Sequence, residues 1–82
     1  MNRKPLPHII RPLIEVLGTS RVLIEHHRGI CAYSDQRISV RVNYGVIHIL
    51  GDCLKAISMT QDVLVISGRI FQLTLSREGD SL

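Results

Sequence analysis

The sequence predicts an all-β protein: a small antiparallel meander of about seven to eight short strands, closed as a sandwich or partly open barrel and preceded by a basic, proline-containing arm. Three observations lead there. Beyond Pro12 the chain is a succession of short aliphatic and β-branched runs, and none keeps helical spacing across several turns. The runs are separated by Gly, Asn, Asp, Ser and Thr, the residues of tight turns. The joints are also too short for parallel crossovers, which need about a dozen residues, so neighbouring strands must be antiparallel. A short β-solenoid shares the glycine-punctuated pattern and stands as the alternative architecture.

Residues 1–12 form the arm. They hold Arg3, Lys4 and Arg11 and all three prolines, Pro5, Pro7 and Pro12, which fix φ and remove amide donors, so the arm reads as an extended tether. Residues 13–76 form the single β-domain, and residues 77–82 a flexible tail. Strands are expected at Leu13–Leu17, Arg21–His27, Ile30–Ser34, Arg37–Val42, Val46–Leu50, Leu54–Ser58, Val63–Ser67 and Ile70–Leu75. Turns are expected at Gly18-Thr19-Ser20, Arg28-Gly29, Ser34-Asp35-Gln36, Asn43-Tyr44-Gly45, Gly51-Asp52, Thr60-Gln61-Asp62 and Gly68-Arg69. Gly45, Gly51 and Gly68 are thus read as structural turn glycines. An apolar run leads to each of Gly29, Gly51 and Gly68, and another apolar-rich strand follows, which suggests a repeated hairpin unit.

Alternation separates dry faces from wet ones. Arg37, Ser39 and Arg41 share one face of their strand and Ile38, Val40 and Val42 the other, so this strand has one solvent face. The runs Val46–Leu50 and Val63–Ile66 are instead apolar on both faces. An 82-residue chain is near the size at which one core becomes marginal, and it has few layers with which to cover such strands. Val46, His48, Leu50, Val63 and Val65 are therefore the candidate interface, and a homo-oligomer or a protein partner is expected.

The net charge of +3 invites a nucleic-acid reading, but its position weakens it. The arm holds the excess, and the remaining seven basic residues balance seven acidic ones. Aromatic residues make up only 4% of the chain. Tyr33 and Tyr44 for stacking, with Arg37 and Arg41 for phosphate, define the alternative of a small nucleic-acid-binding barrel. No secretory signal is expected, because prolines, His8 and Arg11 interrupt the arm, and no run approaches the roughly 20 apolar residues of a membrane-spanning helix. Cys31 and Cys53 have no motif spacing and are expected to be reduced, small buried residues of a cytosolic protein.

The densest polar cluster is Glu25-His26-His27-Arg28-Gly29. Strand alternation places Glu25 and His27 on one face, a pairing that suits a general base. It suits a hairpin corner better, with Arg28 reaching a carbonyl or carboxylate and Gly29 supplying positive φ, since no nucleophile, second acid or oxyanion motif accompanies it. No enzyme activity is expected. The histidines lack metal-ligand spacing, and the isolated glycines form no phosphate loop, so no metal and no cofactor is expected. His48, in a two-sided apolar strand, reads as a hydrogen-bonded histidine of a core or interface.

The ordered set Glu25-His26-His27-Arg28-Gly29-Ile30, Tyr33-Ser34, Gly45–Gly51, Leu54–Ile57 and Val65–Ile70, with Leu6-Pro7 and Pro12 before it, resembles the YabP/YqfC family of bacterial sporulation proteins, most closely its YqfC branch. The likeness runs from about Leu6 to Leu75. Two positions depart from the pattern: His26, where the family usually has Asn, and Leu50, where Lys is common. The resemblance implies a non-enzymatic protein of the mother cell in endospore-forming bacteria. It implies a role in assembly of the spore envelope or coat, paired with a membrane-anchored sporulation partner and peripheral at the forespore membrane or spore surface through it. These residues carry the family motif: Glu25, His27, Arg28 and Gly29.

Overall fold

The computed structural model describes residues 13–43 and 45–77. Among these residues six strands are present: β1 (Leu13–Leu17), β2 (Arg21–Glu25), β3 (Ile30–Tyr33), β4 (Arg37–Val42), β5 (Gly45–Met59) and β6 (Val63–Arg77). All pairings are antiparallel, in one sheet of order β1-β2-β6-β5-β4-β3, and no helix occurs among the described residues. The antiparallel ladder excludes the solenoid. The order also departs from a simple meander, because β2 pairs with β6 instead of β3.

The strand count falls to six because two expected turns are bends inside long strands. Gly51 and Gly68 were expected to turn the chain back, yet β5 and β6 run through them and pair with each other on both sides, with register shifts at Leu50/Gly51, Asp52/Lys55 and Ala56/Ser58. Bulges bend strands without ending them. Gly45, the third expected turn glycine, is likewise the first residue of β5, opposite Arg77. The expected strand at Arg21–His27 stops at Glu25, because His26 takes a positive φ of 63°. Arg77, expected in the tail, is the last residue of β6. The expected arm, the rest of the tail and Tyr44 lie outside the described residues.

The bend gives the sheet two halves. The first consists of β1, β2, residues 63–67 of β6 and residues 55–59 of β5; the second of β3, β4, residues 45–50 of β5 and residues 70–77 of β6. Four cross-strand pairs line their inner faces: Val22–Ile66 and Ile24–Leu64 in the first, Ile38–Ile49 and Val40–Ile47 in the second. All eight side chains are fully buried and belong to one apolar cluster. A flat single layer without helices leaves both faces wet, so complete burial requires the halves to fold onto each other as a sandwich. Burial of each such side chain contributes about 1.5–3 kcal/mol.

Gly51 and Gly68 make the fold-over sterically feasible. A Cβ at Gly51 would overlap the Arg69 carbonyl oxygen, and one at Gly68 would come within 2.7 Å of the Cys53 carbonyl oxygen. Gly68 also has a φ of 140°, which side-chain-bearing residues rarely adopt. Here the backbones of β5 and β6 approach too closely for any side chain between them. Cys53 sits in the same bulged segment with a φ of 53°, and it is exposed, as is Cys31 on the edge strand β3. The expectation that both thiols are buried is therefore wrong: one lies in a bulge that turns it outward, the other on the outermost strand.

Candidate functional site

The motif residues form the connection from β2 to β3, which is also the passage from the first half of the sandwich to the second. The chain leaves β2 when His26 enters the left-handed region, a conformation Asn tolerates better than His. The His26 amide then donates to the Asp62 carbonyl at 2.7 Å, in the turn between β5 and β6. Two residues later the chain is held by the other half: the Arg28 amide donates to the Arg41 carbonyl at 2.7 Å, and the Arg41 amide to the Gly29 carbonyl at 2.8 Å. Gly29 has a φ of 111°, which returns the chain to the extended conformation of β3. The corner is thus a strap bonded to both halves.

His27 is the centre of this strap and is buried. Its Nδ1 lies 3.0 Å from the Gly29 amide, which donates to it, and its Nε2 lies 2.9 Å from the Thr60 carbonyl oxygen. A carbonyl only accepts, so Nε2 carries the proton and Nδ1 is the acceptor; the two contacts specify one neutral tautomer. Both nitrogens are occupied by backbone groups of the fold. Glu25 does not share its face, because alternation ends at His26, and Glu25 remains half-buried on the outer face of β2 beside Val63. The geometry therefore lacks the Glu25–His27 pair that alternation suggested. The reason is local: one positive φ rotates every later side chain out of the strand's phase.

Arg28 projects from the strap and donates from Nη1 to Asn43 Oδ1 at 2.7 Å. Strap, Asn43 and the β5–β6 turn surround a broad depression of about 670 Å³, rimmed by His26, Arg28, Asn43, Met59 and Asp62. Asn43, Thr60 and Asp62 appear in the sequence only as turn residues. Their part in the corner is invisible there because the contacts span from 15 to 36 positions along the chain.

The five candidate interface residues do not form one patch. Val46, His48 and Leu50 lie on the outer face of the second half, opposite Arg41, Ser39 and Arg37 of β4. Val63 and Val65 lie on the outer face of the first half, opposite Glu25 and Leu23. All five are half-buried, and the two groups point away from each other across the sandwich. His48 Nδ1 receives the Arg37 guanidinium at 3.3 Å and lies 2.9 Å from the buried Ser39 hydroxyl. A guanidinium only donates, so Nδ1 is again the acceptor.

The alternative nucleic-acid set is divided in the same way. Arg37 and Arg41 stand on the outer face of β4, whereas Tyr33 pairs with the inward-facing Ile38, and its hydroxyl accepts the Ala56 amide at 2.9 Å across the sandwich seam. The Tyr33 ring and the two arginines are therefore on opposite sides of the layer. Among the described residues there is no cluster of three or more His, Cys, Asp or Glu able to hold a metal.

The Glu-His-His-Arg-Gly corner, bonded across the two halves, is followed by the glycine-spaced strands that cross at Gly51 and Gly68. Residues 11–81 match the YabP family. The chain belongs to the YabP family. It is accordingly a sporulation-associated protein. The match covers the whole β-domain without separating the YqfC branch from its relatives. No curated protein and no solved structure matches the chain.

Proposed function

We propose that this protein is a non-enzymatic assembly module that acts in formation of the spore envelope or coat by binding other proteins. The observation that carries this reading is the pair of outer faces. Leu23, Val63 and Val65 on one side and Val46 and Leu50 on the other keep aliphatic surface half-exposed, although the inner faces already supply a complete core. Apolar surface retained outside a finished core is what a binding module offers to partners. The chemistry of the corner supports the same view, since the one buried imidazole among the described residues uses both nitrogens to hold the fold. We infer a membrane-anchored sporulation protein as the partner class, which would place the module in the mother cell at the forespore membrane.

Two arms test this. Replacement of the chromosomal gene by Val46→Asp and Val65→Asp variants is expected to leave vegetative growth unchanged and to yield spores with a defective envelope. Normal, resistant spores from both variants, at wild-type protein levels, would overturn the reading. A purified protein that stays monomeric and binds oligonucleotides with a steep salt dependence would do the same and favour the nucleic-acid alternative.

A further inference from the structure

β6 has two edges, and among the described residues one of them is unpaired over about half its length. Its partner on that side, β2, pairs only through residues 63–67. Beyond it, the Gly68 and Ile70 amides donate to the Ser20 and Thr19 carbonyls, at 3.1 and 2.9 Å. From Phe71 to Arg77 no strand among the described residues pairs with that edge. Of the other edges, β1 offers five described residues, and two more are blunted. β3 has four residues and a register shift, and on β5 the Leu54 amide is taken by the Asp35 carbonyl and the Ala56 amide by the Tyr33 hydroxyl. An edge strand left long, sparsely charged and apolar is a template for another strand.

The sequence of this edge, Phe71-Gln72-Leu73-Thr74-Leu75-Ser76-Arg77, is complementary to itself in the antiparallel sense. A twofold axis at Thr74 places Leu73 opposite Leu75, Gln72 opposite Ser76 and Phe71 opposite Arg77. Facing side chains in an antiparallel pair share a face, so the leucines extend the inner apolar face and the polar residues the outer one. Centring the axis on Leu73 would set Arg69 against Arg77, and centring it on Leu75 would set Arg77 against Leu73. A shift by one residue would mix the two faces. The exposure of Phe71 (67%) and Leu75 (38%) marks where the partner's side chains would land.

We propose that two copies of this chain join edge to edge through residues 71–77 of β6, antiparallel and centred on Thr74, which makes one continuous sheet of the two second halves. The proposal rests on the assembly reading above and specifies one of its contacts. Thr74 is exposed on the outer face, so charge there is compatible with the monomer fold. Thr74→Lys alone and Thr74→Glu alone each set like charges against each other at the axis, and each is expected to be monomeric by light scattering where the wild type is a dimer. An equimolar mixture of the two is expected to return to the dimeric mass. A wild type that remains monomeric at high concentration, or a dimeric Thr74→Lys variant, overturns the proposal; the second result leaves the assembly reading standing on another surface. A mixture that stays monomeric overturns the register. On the unaltered chain, amide exchange at residues 71–77 should slow as concentration rises, and concentration-independent exchange there would equally refute the pairing.

Discussion

The half built on the β1–β2 hairpin and the half built on the β3–β4 hairpin have the same plan and finish differently. In each, a hairpin lies beside one arm of the long β5–β6 pair and contributes two inward side chains, Val22 and Ile24 or Ile38 and Val40, against two from that arm. In each, the tip of the hairpin bonds the bend glycine: Ser20 accepts from Gly68, and Gln36 accepts from Gly51, both at 3.1 Å. The departure comes just past the bend. Past the matching contacts Asp35–Leu54 and Thr19–Ile70, the β3–β4 hairpin covers the edge of β5 once more through the Tyr33 hydroxyl, whereas the β1–β2 tip stops at Ile70. Core composition is therefore matched between the halves, and edge protection is not.

The plan's most demanding element is the crossing of β5 and β6. Gly51→Ala should prevent folding or cost more than about 4 kcal/mol, since its Cβ would overlap backbone that cannot move aside, while Gly18→Ala, with open space around it, should cost about 1–2 kcal/mol. Urea denaturation of the two variants measures the difference, and similar midpoints would break the crossing. Next come the matched cores. Ile49→Ala and Ile66→Ala should each cost about 2–5 kcal/mol and agree within about 1 kcal/mol. If one of them costs almost nothing, the halves are not energetic equivalents.

The strap joining the halves should be less costly to disturb. Gly29→Val forces a β-branched residue to a φ of 111° with nothing nearby to clash, and should cost about 1–3 kcal/mol. Tyr33→Phe removes one hydrogen bond from the protected edge only. A loss of about 1 kcal/mol is expected, with faster amide exchange at Ala56 and none at Phe71; unchanged exchange at Ala56 would remove the asymmetry between the edges. The smallest effect is expected from His26→Asn, a gain of a few tenths of a kcal/mol from relief at a φ of 63°. A drop in melting temperature for that variant would mean that the His26 side chain contributes something other than its backbone conformation.

The all-β class, the antiparallel pairing and the inward set of β4 were legible in the sequence, because side-chain alternation and turn chemistry act over a few residues. The boundaries of β1 and β4 were legible for the same reason. The joining of four expected strands into two was not. Gly51 and Gly68 look like any hairpin glycines until the opposing backbone is present to show that their role is close approach. Of the corner, the need for a glycine at position 29 was readable. The partnership of His27 with Thr60 was not, since the two lie 33 positions apart. The suggested pairing of Glu25 with His27 failed on a single dihedral at His26 that no period-two pattern can reveal.

By itself, then, the sequence determined which local conformations are available: extended runs, glycine joints, an apolar stripe on each strand and an ordered motif that belongs to one family. Only the tertiary structure decided which of those runs are continuous, that the two apolar stripes of β5 and β6 serve different layers, and that Tyr33 and the arginines of β4 face opposite ways. The physical reason is range. Alternation and turn preference depend on neighbours in the chain, whereas a bend, a shared imidazole and a bare edge depend on which distant strand lies alongside.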